Sequence, residues 1–306
     1  MNQRQKREVR QSSVSQSFPF ILAFFIWDPS RIMFTIPFLG IPITWYGFFF
    51  TLGLFASFYA VKLLLKDQLK DSFTQLSPHD KDELIENLTV RIDFWILPSL
   101  LIGARLINVL FYDLSHYLDY PWEIFQIWKG GLSSHGALIG VLIGTYFVVK
   151  QEKKQFPSLN YLVLLDIFCA PFLLAGALIR VGNFFNQENV GTVTDVPWAV
   201  IFMHPIQLES VLPRHPVQLY EAFMYFIAFL LLLGIRHVTK NRVKPGFIVG
   251  CCLLMAFMMR IIAEMFKAHQ PSWIPQIDAL PIQMGQLLSV PFCLIGLGLM
   301  FYASRK

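Results

Sequence analysis

The chain has 306 residues, of which 55% are hydrophobic and only 15% are charged, and its mean hydropathy is +0.52. Average proteins carry about 25% charged residues, so this composition excludes an ordinary soluble protein and indicates an integral membrane protein. The formal net charge of +5 would suit nucleic acid in a soluble chain, but in a membrane protein the lipid bilayer is the expected partner and no nucleic acid is expected.

The chain begins with a basic segment, residues 1–17, that contains Arg4, Lys6, Arg7 and Arg10. Together with the apolar FPFILAFFIW it imitates a secretory signal peptide, but no small-residue cleavage site follows. We expect a disordered extension, with an interfacial segment or a translation start placed too early as alternatives. Residues 18–306 are expected to form a single membrane-embedded domain.

Seven apolar runs are long enough to cross a bilayer. A hydrocarbon core about 30 Å thick needs roughly 20 apolar residues in a helix. The runs lie near residues 43–65, 94–112, 132–149, 161–181, 217–235, 246–266 and 284–303. The sequence therefore predicts an all-α polytopic membrane protein with seven transmembrane helices and a small outer-face loop or head region over about residues 184–216.

Basic residues are concentrated in the loops that follow the first, third, fifth and seventh runs. They are Lys66, Lys70, Lys81, Arg91, Lys150, Lys153, Lys154, Arg236, Lys240, Arg242, Lys244, Arg305 and Lys306. Loops rich in lysine and arginine stay in the cytoplasm, so the prediction is an amino terminus outside and a carboxyl terminus inside. The basic first segment conflicts with that orientation by the same rule.

The third run begins with KGGLSSHGALIG. Its Gly136, Gly140 and Gly144 follow at i, i+4 and i+8 and form a smooth stripe on which a neighbouring helix can pack closely. His135 stands at the start of this helix, at the outer interface. Because histidine exchanges a proton near neutral pH, His135 is a candidate base, with a polar helix-end group as the alternative.

The fourth run ends with LLAGALIRVGNFFNQENVG. A charge at membrane depth costs roughly 2.5–3.5 kcal/mol on insertion scales and usually faces a cavity or a partner. Arg180, Asn183 and Gln187 lie on one face of a continuing helix and are expected to converge on one ligand, with a polar helix cap as the alternative. Gly182 and Gly191 leave room for a turn or a close backbone approach.

The sixth run places Arg260 and Glu264 at i and i+4, which a buried ion pair would explain. A second interpretation is that Arg180 and Arg260 bind a phosphate, because guanidinium groups match phosphate oxygens in pairs. The membrane supplies such a phosphate in a phospholipid headgroup. Arg105, in the second run, is expected to be structural or a gate.

Structural roles are expected for the other polar residues. Gln218 and Glu221, in RHPVQLYE, are expected to make cross-helix hydrogen bonds. Asp166 lies roughly 21 Å from Arg180 along an unbroken helix, so a direct pair is not expected. The cysteines lie within apolar runs without metal-ligand spacing, so no metal and no cofactor is expected; they are Cys169, Cys251, Cys252 and Cys293.

The motifs TWYGFFFTLG, GGLSSHGALIG, LIRVGNFFNQENVG, VPWAVIF, RHPVQLYE, RIIAEMF and MGQLLSVPF follow one another along the chain. In this order they resemble the bacterial prolipoprotein diacylglyceryl transferases, from about Trp27 to the carboxyl terminus. The resemblance implies a multi-pass inner-membrane enzyme with its active site toward the periplasmic face, and we expect a monomer. It implies transfer of an sn-1,2-diacylglyceryl group from phosphatidylglycerol to the lipobox cysteine of a lipoprotein precursor, the first step of lipoprotein maturation. The products are a thioether and glycerol phosphate.

The resemblance also implies site residues. The catalytic set is His135, Arg180, Arg260 and Tyr46, and the phosphatidylglycerol-binding set is Arg180, Asn183, Gly191, Glu188, Glu264 and Asp166. We expect His135 to accept the thiol proton while Arg180 and Arg260 clamp the phosphate. Glu188 and Glu264 would hold the arginines in place. The headgroup would be oriented by Tyr46 and Asn183.

The chain departs from the family pattern at three positions. Ile179 stands where glycine usually precedes the arginine, and Ala256 stands where the family often has a tyrosine. Lys267 replaces a common arginine, which keeps the charge but loses the planar fork. None of these changes removes an expected site residue, but Ala256 lacks the hydroxyl that a mechanism using that tyrosine would need.

A transporter or channel for an anionic or lipid substrate is the alternative hypothesis, because such proteins also place arginine, histidine and glutamate inside a helical bundle. Many transporters show repeat symmetry between their halves. Here the histidine block and the arginine–asparagine block are unlike each other. The transferase is therefore the preferred hypothesis.

Overall fold

The computed structural model describes residues 24–305 apart from 39, 112, 128–130, 207–209, 241–242 and 269–282. The basic extension expected over residues 1–17 lies outside the described residues. The helices in the described part are α1 (Trp45–Gln68), α2 (Pro78–Phe111), α3 (Leu114–Asp119), α4 (Ser134–Glu152), α5 (Tyr161–Asn186), α6 (Val217–Val238), α7 (Phe247–Glu264) and α8 (Met284–Arg305). A short 3-10 helix covers Pro121–Phe125.

Each of the seven predicted runs lies on one long helix. Within the described residues, six of these helices are long and apolar enough to cross a membrane by length and composition: α1, α2, α5, α6, α7 and α8. Helix α4 has 19 residues and is not among the six, since its apolar stretch is short, bounded by His135 and by Lys150. The all-α polytopic membrane fold is therefore observed with six candidate spans, and the predicted count of seven is not confirmed.

The described residues form two compact units. The first unit takes in the residues up to Ser57, then Phe172–Ile235 and Gly250–Phe301. The second takes in Phe58–Pro171, Arg236–Val249 and the residues from Tyr302 onward. We call them the arginine unit, which contains Arg180 and Arg260, and the histidine unit, which contains His135.

In the histidine unit, α2 and α4 pack backbone against backbone. A Cβ atom added to Gly136 would collide with the carbonyl oxygen of Gly103, and one added to Gly140 would collide with that of Ser99. At Gly144 the added atom would lie 3.0 Å from the carbonyl oxygen of Trp95. The predicted glycine stripe is thus confirmed, because only glycine lets the two helices approach so closely.

A separate hydrophobic core completes the histidine unit. Its largest fully buried members include Leu65 of α1, Leu88 and Ile92 of α2, Phe156 and Leu164. These residues bring α1, α2 and α5 together. They lie near the loops that are rich in lysine and arginine, apart from the glycine contact between α2 and α4. The unit is therefore held by two different kinds of contact, one of backbone and one of side chains.

The arginine unit contains two small sheets that the sequence did not predict. Strand β1 (Phe25–Trp27) pairs in parallel with β4 (Val200–Phe202), which pairs antiparallel with β5 (Pro213–Arg214). Strands β2 (Ile32–Thr35) and β3 (Pro42–Thr44) form a hairpin that leads directly into α1. The predicted head region therefore includes residues that precede α1 as well as residues that follow α5.

An aromatic cluster joins this head to the end of α5. The Trp27 ring lies 4.6 Å from Phe184 and 5.1 Å from Phe185, centroid to centroid, and its Nε1 donates to the Phe184 carbonyl oxygen at 3.1 Å. Phe202 of β4 packs edge-on against Phe184 at 5.7 Å. The cluster fixes the last turn of α5, which carries the predicted site residue Asn183.

Candidate active site

The last turns of α5 carry a chain of polar contacts in the arginine unit. Arg180 Nη1 donates to Asn183 Oδ1 at 3.3 Å, and Asn183 Nδ2 donates to Glu188 Oε1 at 2.6 Å. Asn183 follows Arg180 by one helical turn, so the first contact needs only the helix itself. The second contact needs the chain after the helix to turn back.

That turn is made by residues in the left-handed backbone region. Gln187 has φ of 56° and Asn189 has φ of 54°, a conformation that is uncommon outside glycine. Helix α5 ends at Asn186, so Gln187 does not continue the helical face of Arg180 that the sequence predicted. Its side chain is fully buried and its Oε1 accepts a hydrogen bond from the His204 backbone N–H at 2.7 Å.

Glu221 of α6 is the carboxylate that pairs with Arg180. The Arg180 Nε and Glu221 Oε2 atoms are 3.1 Å apart, and the Glu221 side chain is only 3% exposed. The sequence analysis expected Glu188 to hold Arg180, but in the structure Glu188 holds Asn183. The available signal was a glutamate inside an apolar helix, because a charge at that depth needs a partner.

Gln218 of α6 binds the segment that follows α5, rather than a neighbouring helix. Its Nε2 donates to the backbone carbonyl oxygen of Glu188 at 2.7 Å. Gln218 therefore fixes the peptide that carries the Glu188 side chain. Helix α6 thus supports both ends of the polar chain, through Glu221 at Arg180 and through Gln218 at Glu188.

Tyr46, the second residue of α1, joins the same cluster. It lies close enough to Arg180 and Glu188 to interact electrostatically with both. Gly182 makes this approach possible, since a Cβ atom there would lie 3.2 Å from the Tyr46 Cα. The close backbone approach expected at Gly182 is therefore confirmed, and its neighbour is the tyrosine.

Arg260 and Glu264 form a second cluster at the end of α7. Arg260 Nη2 is 3.8 Å from Glu264 Oε1, and Lys267 Nζ is 3.5 Å from the same oxygen. The Glu264 side chain is 8% exposed, whereas that of Arg260 is 33% exposed. Gly285 leaves the space that the Glu264 carboxyl group occupies. The expected ion pair is present but loose, so the Arg260 guanidinium can still receive another anion.

Backbone pairing ties the two clusters together within the arginine unit. Gly191 forms an antiparallel bridge with Lys267, the Thr192 N–H donates to the Phe266 carbonyl oxygen at 2.8 Å, and the Ala268 N–H donates to that of Val190 at 3.1 Å. The segment after Glu188 is therefore held against the segment after Glu264.

Gly191 sits where no side chain fits. An added Cβ atom would collide with the His215 carbonyl oxygen and lie 2.8 Å from that of Phe266. Arg214 Nη1 donates to the Gly191 carbonyl oxygen at 3.1 Å, and His215 Nδ1 lies 3.1 Å from the Tyr220 hydroxyl. Burial lowers the pKa of both Arg214 and His215. Sequence reasoning did not find this support around Gly191.

His135 lies at the start of α4 in the histidine unit, where its side chain is exposed. Ser133 is the N-cap of this helix, and its hydroxyl oxygen accepts a hydrogen bond from the Gly136 N–H at 3.4 Å. A serine N-cap satisfies one of the N–H groups that an α-helix leaves unpaired at its start. The predicted position of His135 at a helix start is confirmed.

Asp166, which the resemblance assigns to lipid binding, accepts hydrogen bonds from the start of a neighbouring helix. In the histidine unit its two carboxylate oxygens accept hydrogen bonds from the backbone N–H groups of Gly246, at 2.7 Å, and Val249, at 2.8 Å. These groups belong to the start of α7, where unpaired N–H groups and the helix dipole favour a negative charge. The structure gives Asp166 the role of a cap for a neighbouring helix.

The described residues contain no group of three or more histidine, cysteine, aspartate or glutamate side chains that could hold a metal ion. No disulfide joins the four cysteines, all of which lie in the described part of the chain.

Comparison with known proteins decides the family. A sequence model of the prolipoprotein diacylglyceryl transferases matches residues 31–302. This chain belongs to that family. The phosphatidylglycerol–prolipoprotein diacylglyceryl transferase of Chlamydia muridarum is 39% identical over 283 residues, which cover 92% of this chain and 98% of that protein.

The family match extends to relatives from other bacteria. The enzyme with the same name from Tolumonas auensis is 38% identical over 87% of this chain and 93% of its own length. That from Porphyromonas gingivalis is 34% identical over 93% of this chain and 96% of its own length. The chain is accordingly a membrane-bound transferase of the prolipoprotein diacylglyceryl transferase family.

Proposed function

We propose that this member of the family transfers the sn-1,2-diacylglyceryl group of phosphatidylglycerol to the thiol of the lipobox cysteine in a lipoprotein precursor. The names of its relatives support phosphatidylglycerol and a prolipoprotein as the substrates. The observation that carries the proposal is the polar chain in the arginine unit, where Glu221, Arg180, Asn183 and Glu188 contact one another in turn. Such a chain preorganises a cation that can bind the phosphate of a lipid headgroup.

The reaction moves one proton and one carbon–oxygen electron pair. The thiol loses its proton to a base, and the sulfur lone pair attacks the terminal glycerol carbon of the diacylglyceryl group. The bond between that carbon and the phosphate oxygen breaks, and its electron pair stays on the oxygen. The products are a thioether and glycerol phosphate, and the phosphate gains one negative charge.

Arginine residues stabilise that developing charge in the proposal. Arg180 is fixed by Glu221 and Asn183, so it needs little reorganisation when the phosphate leaves, and fixed donors of this kind lower a barrier most effectively. Arg260 is only loosely held by Glu264, so it can turn toward the phosphate. Tyr46 then orients the headgroup beside Arg180.

His135 is the proposed base. A thiol has an ordinary pKa near 8.5 and reacts as the thiolate, and a positioned base contributes about 10²–10⁴-fold to the rate. Its exposed position at the start of α4 supports access by a substrate thiol. The resemblance to the family supplies the assignment, and the helix start supplies a fixed position.

The proposal includes a location and a membrane orientation. Helix α4 also crosses the membrane, which brings the number of crossings to seven. The amino terminus then lies outside and the carboxyl terminus lies in the cytoplasm of a bacterial inner membrane. The lysine- and arginine-rich loops support this orientation. The active site then faces the periplasm, and the enzyme acts as a monomer.

The test is incubation of the purified protein with phosphatidylglycerol and a lipobox peptide, followed by mass spectrometry of the peptide. The expected result is a diacylglyceryl mass increase on the cysteine, together with release of glycerol phosphate. If the wild-type protein gives no increase while it remains folded, the transferase proposal fails and the transporter hypothesis is favoured.

Substitutions then test the individual roles. Arg180→Lys keeps the charge but loses the fork, and it should reduce turnover by at least about tenfold with little change in folding; Arg91→Lys, in an ion pair with Glu152, is the matched control. His135→Gln should lose most of the turnover. Full activity in His135→Gln, at every pH, would remove the base assignment but leave the transferase proposal standing.

A further inference from the structure

Arg105 donates hydrogen bonds to three backbone carbonyl groups in the histidine unit. Its side chain lies in α2 and is only 4% exposed. Its Nε donates to the Ile124 carbonyl oxygen at 2.8 Å, its Nη1 donates to that of Gly131 at 3.1 Å, and its Nη2 donates to that of Glu123. One guanidinium group thus binds the 3-10 helix and the second glycine of the GGLSSH motif.

The acceptors are held from other sides as well. The Arg105 guanidinium carbon lies 4.9 Å from the centroid of the Tyr117 ring, which supports the cation by its π face. Gly131 has φ of 68°, and a Cβ atom there would lie 2.7 Å from Arg105 Nη1 and 3.0 Å from the Tyr117 hydroxyl. Glycine is needed at this position both for the backbone angle and for the space.

The turn that carries His135 is attached to α2 at three successive points. The first is the Gly131 carbonyl oxygen on Arg105. The second is the Ser133 N–H, which donates to the Ala104 carbonyl oxygen at 3.0 Å. The third is Gly136, whose backbone lies against the Gly103 carbonyl oxygen so closely that no Cβ fits.

These three attachments lie on both sides of His135 and all end on consecutive residues of α2, from Gly103 to Arg105. Two of them are backbone contacts that depend on the segment before α4 reaching α2 in the right register. Arg105 is the only one of the three made by a side chain. It also reaches furthest from α2, to Glu123 and Ile124.

We propose that Arg105 is a positioning residue for His135, acting by fixing the segment that leads into α4. This inference rests on the proposed function, since it takes His135 as the base. Arginine is required because its planar group offers five donors in a fixed fork, whereas a lysine ammonium is a compact point charge that cannot span three carbonyl groups in this geometry. The known cost of misplacing a reacting group by about 1 Å is about 100-fold in rate.

The first experiment compares Arg105→Lys with the matched control Arg91→Lys. Both changes are made in α2 and both keep the charge, but Arg91 binds the Glu152 carboxylate, which a lysine can also pair with. With phosphatidylglycerol and a lipobox peptide, Arg105→Lys is expected to lower kcat by on the order of 100-fold with an unchanged KM for the lipid. Arg91→Lys is expected to keep both constants. Unchanged kcat in Arg105→Lys would overturn the inference.

A double-mutant cycle separates positioning from general damage. If Arg105 acts through His135, adding Arg105→Lys to His135→Gln causes no further loss of turnover beyond that of His135→Gln alone. Losses that multiply in full would show that Arg105 acts independently of His135 and would overturn the inference. Rates are compared per folded protein, with the folded fraction measured for every variant.

Amide hydrogen exchange tests whether Arg105 fixes the segment before α4, and it needs no turnover. In Arg105→Lys the peptide that contains Ser133 should exchange at least about tenfold faster than in the wild type, because local opening becomes easier. Arg91→Lys should leave this peptide unchanged. Gly131→Ala provides a second route, since it retains Arg105 but displaces its guanidinium group, and it should show the same faster exchange and the same fall in kcat.

The outcomes distinguish this inference from the proposed function. If the wild-type protein forms no thioether, the proposed function fails, while the exchange data still report whether Arg105 fixes the His135 turn. If the wild type is active and Arg105→Lys exchanges faster with normal kcat, Arg105 fixes the segment before α4 but does not position the base. The inference is then overturned.

Discussion

The guanidinium of Arg180 and the carboxylate of Glu221 meet where neither charge is well solvated, since their side chains are 18% and 3% exposed. Removing one partner of such a pair leaves the other charge buried and uncompensated. Glu188, three residues short of Gly191, instead completes the hydrogen-bond chain through Asn183. At the residue scale, the Arg180 cation is therefore paired with the Glu221 carboxylate and linked to Glu188 through the Asn183 amide.

Glu221→Gln should damage both stability and lipid turnover. Breaking a buried ion pair costs about 3–5 kcal/mol, and the partial exposure of Arg180 places this site at or below the lower end. The freed Arg180 should also raise the KM for phosphatidylglycerol, which steady-state assays with lipid vesicles can measure. Unfolding in denaturant gives the stability change.

Glu152→Gln is the matched control for that change. Glu152 is a similarly buried glutamate, 7% exposed, that pairs with Arg91 at 2.8 Å. It should lose stability by a similar amount while its KM for phosphatidylglycerol stays at the wild-type value. Equal KM changes in the two variants would mean that Glu221 has only a structural role.

Two contacts between helices act at the scale of whole elements. The first is the contact of α2 with α4, where the glycine stripe brings two backbones together. In a membrane this kind of packing replaces the hydrophobic driving force that holds helices together in water. The second is the cap that Asp166 of α5 provides for the start of α7.

Gly140→Ala should separate α2 from α4. The added methyl group would collide with the Ser99 carbonyl oxygen, and overpacking of this kind costs about 1–3 kcal/mol or more. Gly234→Ala, in α6 with open space around the added Cβ, is the control and should be neutral or stabilising by up to about 1 kcal/mol. Thermal unfolding in detergent measures both; a stable Gly140→Ala would contradict the close packing.

Asp166→Ala should destabilise the protein by about 0.5–2 kcal/mol, the range measured for the loss of a helix cap. Asp166→Asn should lose less, because one amide oxygen can still accept one of the two hydrogen bonds. Both variants should retain the wild-type KM for phosphatidylglycerol in the transfer assay. A raised KM in folded Asp166→Asn would support the lipid-binding role that the resemblance implied.

At the scale of the whole molecule, the open question of six or seven crossings is a question about α4. An even number of crossings places both ends of the chain on the same side, and an odd number places them on opposite sides. The basic loops favour the second arrangement.

Reporter fusions decide the orientation. Alkaline phosphatase, which is active only outside the cytoplasm, should be inactive when fused after Lys70 or after Lys154 and active when fused after Thr192. Activity of the fusion after Lys154 would place both sides of α4 on the same face and remove it from the set of crossings. A cytoplasmic reporter at the same positions should give the opposite pattern.

The sequence by itself determined the membrane class and the long helices, and the predicted site residues also come from it. These follow from properties of short segments: an apolar run must hide its backbone in a helix, and a glycine stripe at i, i+4 and i+8 marks a packing face. The motif order determined the family for the same reason, because it is read along the chain. The start of α4 at His135 was also visible locally, from the serines before it.

Only the tertiary structure decided which side chains meet. The sequence predicted Glu188 as the partner of Arg180, whereas the structure pairs Arg180 with Glu221. That choice depends on the left-handed turn at Gln187 and on the approach of α6. Asp166 and Arg105 were likewise undecided, because their partners are backbone groups of distant segments, which leave no side-chain signal. Strands β1 and β4 pair although 175 positions of sequence separate Phe25 from its partner Val200. Such pairing depends on how the helices between them pack.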